Sequence, residues 1–159
     1  MRKLTVGFSS STKNFAPFCK AIELYQHTNY SHVYFKFETT KNHVIMIYQA
    51  SSTMLNYMSQ GVFLIHNKVI QEFELEIEDA VYDKIMLNCM LSAGLGYSIK
   101  QVFGLLIANV LHLKTNPLSD PEKYVCSEWV AEQLEVAGYV FDKPIDLITP
   151  KDINLKLSK

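Results

Sequence analysis

The hydrophobic period of this chain changes near Glu78, and that change restricts its architecture more than any other feature. Before it, apart from one helical stretch after Pro17, apolar residues fall in short runs of strand character; after it they recur three and four apart. From Val69 to Ile77, Phe73, Leu75 and Ile77 alternate with Glu72, Glu74 and Glu76, which makes one face dry and the other wet. Past Glu78, Val81, Ile85, Asn88, Cys89 and Ser92 mark one face of a helix that stops at Gly94-Leu95-Gly96. Strands and helices are segregated rather than alternating, so the expected class is α+β and not a doubly wound sheet.

The other elements follow from local signals. Leu4 to Phe8 reads as a short buried strand, with Ser9-Ser10-Ser11-Thr12-Lys13-Asn14 as the loop after it. Pro17 suits the first turn of a helix running to Gln26, with Phe18, Ala21, Ile22 and Tyr25 on one face. His32 to Glu38 and His43 to Ala50 read as a hairpin around Thr39-Thr40-Lys41-Asn42. Gly61 to Ile65 and Val69 to Ile77 read as a second strand pair around His66-Asn67-Lys68. A more apolar helix covers Ile99 to Leu113, a loop follows at Pro117 to Pro121, and Cys126 to Ala137 form a helix with Gly138 at C′.

With 159 residues, 48% hydrophobic and 19% charged, the chain suits one compact domain over 1–159. A net charge of −1 provides no broad basic field, so nucleic acid is not an expected partner. Cys19, Cys89 and Cys126 have no metal-like spacing, and neither a disulfide scaffold, a structural zinc nor any other cofactor is expected. Leu4 to Phe8 is too short for a signal-peptide core, and Val102 to Leu113 is well short of the ~20 residues that span a bilayer. Residence in the cytoplasm, or inside a virion or phage-infected cell, is the expectation.

One thiol stands where chemistry is favoured. In Tyr124-Val125-Cys126-Ser127-Glu128-Trp129, Cys126 opens an amphipathic helix, where unpaired backbone N–H groups and the positive end of the dipole stabilise a thiolate. In Tyr30-Ser31-His32-Val33, His32 opens a strand and offers a base. A loop at Thr39 to Asn42 pairs Glu38 with His43, Lys36 with Ile45, Tyr34 with Ile47 and His32 with Gln49. Gln49 then holds one imidazole nitrogen and leaves the other free. The same register puts Val33, Phe35, Phe37, Val44, Met46 and Tyr48 on the opposite face.

Rival residues are weighed alongside. Cys19, in the first turn of the Pro17 helix, competes as nucleophile, but His32 follows it closely and the helix and turn between leave little room for the two to meet. Cys89 reads as core, His43 as the other candidate third residue, His66 as a turn residue and His112 as a helix-end cation. Glu128 reads as an acid serving backbone donors of the first turn, while Tyr124 and Ser31 flank the site as oxyanion donors. Trp129, Leu134 and the Val102 to Leu113 stripe read as core, with lipid or acyl binding the other role for that stripe.

Ser31-His32-Val33, Tyr48-Gln49-Ala50-Ser51 and Tyr124-Val125-Cys126-Ser127-Glu128, in that order, resemble the circularly permuted NlpC-type, papain-like cysteine hydrolases. The resemblance is to their YiiX/YebB-like branch, related to lecithin retinol acyltransferase. It implies a small antiparallel sheet packed against helices, with Cys126 as nucleophile, His32 as base and then acid, and Gln49 as orienter. Relatives often carry Glu or His at the third position, and a neutral Gln stabilises an imidazolium less. The expected reaction is hydrolysis of amide bonds in cell-wall or other peptides, with no cofactor. Lipid acyl transfer or ester hydrolysis, and a catalytically silent binding role, are the alternatives.

Overall fold

A computed structural model describes residues 1–12, 16–51 and 53–159 of the chain. Its elements are β1 (Arg2–Ser11), α1 (Ala16–Gln26), β2 (His32–Glu38), β3 (Ile45–Ala50), β4 (Leu55–Ser59) and α2 (Gln60–Leu64). There follow β5 (Asn67–Ile77), α3 (Asp79–Ser92), β6 (Gly96–Tyr97), α4 (Ile99–Val110), β7 (Lys123–Tyr124), α5 (Cys126–Val136), a 3-10 turn (Ile145–Leu147) and α6 (Pro150–Leu157). The class is α+β: a five-stranded antiparallel sheet in the order β4-β3-β2-β1-β5, with β6 and β7 as a separate parallel pair.

Strand β1 lies inside the sheet and is buried continuously from Leu4 to Ser10, as a strand covered on both faces must be. Leu4, Val6 and Phe8 point to the main core with Val33, Phe35, Tyr48 and Leu75, and Trp129, Val130 and Leu134 of α5 fill it from above. Trp129 packs against Tyr48 with ring centroids 4.7 Å apart and against Phe35 at 5.6 Å. The opposite face carries a smaller cluster, Tyr34, Ile47 and Phe63, roofed by α2.

Several expectations are corrected. Ser9 to Ser11 are strand and not loop, because β5 pairs with β1 from Arg2↔Ile77 to Ser11↔Asn67 across an irregularity at Phe8/Ser9; Lys13 and Asn14 lie outside the described residues. Gly61 to Ile65 is no strand: Ser59 accepts the Val62 N–H and caps α2, in a run too short to show a period. Val69 to Ile77 therefore pairs with β1 rather than with its neighbour. In α1, Ala21 is exposed while Glu23 and Gln26 are buried, since Glu23 takes the Ser10 hydroxyl and Gln26 the Lys151 N–H.

The hairpin is also shifted. Phe35 pairs with Tyr48 and Glu38 with Ile45, and the Thr39 N–H donates to the Val44 carbonyl at 2.9 Å, so the loop is 40–43. His43 takes a left-handed φ of 51° there. Moving the loop by one residue moves the pairing by two, which keeps every side chain on its expected face.

Gly7 meets the Tyr34 ring on the α2 face. A Cβ there would stand 2.2 Å from Tyr34 Cζ, and that ring is held by Phe63 at 4.6 Å and by its hydroxyl donating to Glu72 at 3.0 Å. We expect Gly7→Ala to destabilise the fold by about 1–3 kcal/mol. Gly61, with open space around it, should accept alanine without loss. Urea midpoints of the two variants test this, and equal midpoints would refute the close approach.

Candidate active site

The site forms where β2 and β3 part. The Thr39 to Val44 bond fixes that odd-numbered N–H groups of β2 face β3, so the Val33 N–H does too. The ladder, however, ends at Phe35↔Tyr48. In the gap beyond it the Cys126 sulfur lies close enough to the Val33 N–H, and to the Ser127 N–H at the start of α5, for both to lower its pKa. Cys126 thus lies near the backbone of Val33, the residue after His32, on the side of the main core.

His32 and Gln49 project from the α2 face of the same gap. The imidazole Nε2–H donates to Gln49 Oε1 at 2.7 Å, and the Gln49 amide donates to Met58 Sδ at 3.4 Å. An amide oxygen only accepts, so this bond puts the ring proton on Nε2 and leaves the Nδ1 lone pair free. The pair is diagonal rather than directly opposed, because the register is shifted by two. His43 is not its third member: it is exposed at the far hairpin end and bonds Glu38 at 2.6 Å.

The three residues are not equally joined. Among the described residues, His32 bonds Gln49 and no hydrogen bond links its ring to Cys126. Cys126 is 7% exposed and belongs to the main core, whereas Cys19 lines a cavity of about 440 Å³ together with Ser31, His32, Gln49, His66 and Tyr97. Tyr97 is close enough to feel the charge of either thiol. His66 and Tyr97 lacked any sequence signal, since a turn histidine and a tyrosine beside Gly96 reach the cavity only through the fold.

Electrostatics leave the resting groups neutral. Burial pulls the His32 imidazole down to about 4 against the Gln49 bond, and burial pushes the Cys126 thiol up to about 11 against its backbone donors. Burial likewise raises Cys19, with Ser31 lowering it by less. Glu128 is raised by burial to about 7 and accepts the Val125 N–H at 3.4 Å and the Gln101 amide at 3.2 Å, so it serves the helix start as expected. Burial raises the Tyr124 hydroxyl, and the nearby Glu132 raises it further.

The pH consequences have a definite sign. Thiolate at Cys126 should increase about tenfold per pH unit from neutrality toward about 11, so its alkylation by iodoacetamide should climb throughout that range. A rate already level at pH 6 would reveal a thiolate–imidazolium pair instead. Because the folded His32 pKa lies below its unfolded value, the unfolded chain binds more protons between about 6.5 and about 4, so stability rises with pH across that window and is lost as the pH is lowered through it.

Among the described residues no cluster of three or more histidine, cysteine or carboxylate side chains is placed to hold a metal ion. The chain matches no protein-family model and no curated protein, which leaves the geometry of His32, Gln49 and the two cysteines as the ground for a functional assignment.

Proposed function

We propose that the chain is a cysteine-dependent hydrolase of amide and related acyl bonds, with a permuted papain-like arrangement in which histidine precedes cysteine. The observation that carries this reading is the His32 Nε2–H to Gln49 bond, which leaves Nδ1 free at the gap that holds the Cys126 sulfur. The thiol proton passes to Nδ1 as sulfur attacks the carbonyl, so no resting ion pair is needed. Backbone N–H groups at the start of α5 receive the oxyanion. The imidazolium then protonates the leaving group, and water, deprotonated by the same nitrogen, releases the acyl group and restores the thiol.

A second reading has its own support. Among the described residues, the cavity wall combines Phe18, Ile22 and Met58 with neutral polar groups and includes no Asp, Glu, Lys or Arg, which suits an uncharged acyl group better than a charged cell-wall peptide. Ester hydrolysis or acyl transfer on a lipid fits that wall.

Incubation with nitrophenyl acyl esters and with peptide anilides, followed by intact mass and peptide mapping, tests both. An acyl adduct on Cys126 that is lost in His32→Ala is expected. An adduct on Cys19 alone would overturn the assignment of the nucleophile, and turnover of anilides over esters would set the lipid reading aside.

A further inference from the structure

We infer that the outer face of α4 docks on an anionic lipid surface and brings the cavity mouth against it. Helix α4 buries Val102, Leu105 and Ala108 inward, yet its outward row is also apolar: Phe103 is 50% exposed, Ile107 44%, Val110 57% and Leu111 62%. At helical spacing these residues and the exposed Ile99 fall within an arc of about 120°, where Lys100 is the sole polar side chain. A helix apolar all round is normally enclosed, and a contiguous exposed patch of this kind marks an interaction surface.

Charge and continuity select the occupant. Residues 99–114 carry Lys100, His112 and Lys114 and no carboxylate. Two copies crossing antiparallel on this row would oppose Lys100 to Lys114 with no acid in the segment to answer either. An anionic lipid leaflet supplies both the negative headgroups and the apolar depth. No described helix is long and apolar enough to cross a membrane, so α4 would lie in the plane of the surface. The row also reaches the site: Phe103 packs on Phe18 with ring centroids 5.2 Å apart, and Phe18 lines the cavity that holds His32. Docking is independent of whether Cys126 is the nucleophile.

Flotation of the full chain with phosphatidylcholine vesicles, with and without phosphatidylserine, tests the inference. The chain should rise with the phosphatidylserine vesicles, and the Ile107→Glu/Val110→Glu variant should bind at least about tenfold less. Lys100→Gln and Lys114→Gln should each cost about fivefold, and only on anionic vesicles. Thermal melting confirms that these surface variants remain folded. Cys126→Ala should float like wild type, which separates docking from catalysis. Failure to float, or equal flotation of the glutamate variant, would overturn the inference. A dimer in sedimentation equilibrium that the glutamate variant splits would assign the face to a second copy and overturn it equally.

Discussion

Replacing Cys126 by alanine should abolish turnover of any acyl substrate, with a fall in kcat of about 10⁴-fold or more, because in the proposed mechanism its sulfur forms the covalent intermediate. The thiol is a small side chain at the edge of the main core, so alanine removes the proposed nucleophile while the sheet and α5 keep their packing. Cys19→Ala should retain turnover within about tenfold, since that side chain lines the cavity but lies on a different helix from the backbone donors. Steady-state rates with one acyl ester on both variants decide between them. Activity in Cys126→Ala together with its loss in Cys19→Ala would exchange the two roles.

Trp129→Ala should cost about 3–5 kcal/mol, a large share of the ~5–15 kcal/mol that a domain of this size holds. The indole is 3% exposed and bridges the sheet to α5 through Tyr48 and Phe35. Its removal leaves a cavity directly beneath the helix whose first residue is Cys126, so adduct formation should slow along with the loss of stability. Denaturant unfolding measures the first effect and adduct kinetics the second. A loss below about 1 kcal/mol would mean that α5 is held elsewhere, for example through Val130 and Leu134.

The face pattern of the hairpin was legible because side chains alternate strictly along a strand. Val33, Phe35 and Tyr48 go to the core whichever four-residue loop is chosen, provided that the shift is even. The loop position was not legible, because Thr39 to His43 is polar throughout and the choice depends on the left-handed turn at His43. The strand at Leu55–Ser59 and the helix at Gln60–Leu64 are each five residues long, too short for either period to declare itself. Helix α6 carries its own start signal, Thr149-Pro150-Lys151-Asp152, in which Thr149 and Asp152 cap each other. It could have been read from the sequence.

By itself the sequence determined the α+β class, the faces of β2 and β3, the helix that Cys126 opens, and that His32 and Gln49 share a face. All of these follow from periods, caps and parity, which are local. Only the tertiary structure decided which strand pairs with β5, that Cys19 rather than Cys126 lines the cavity, and that the outer row of α4 is exposed among the described residues. It also decided that the Cys126 sulfur comes close to the Val33 N–H beyond the end of the β2–β3 ladder. Those facts depend on how far β2 and β3 stay together and on what packs over them, and the spacing of residues along one segment carries no record of either.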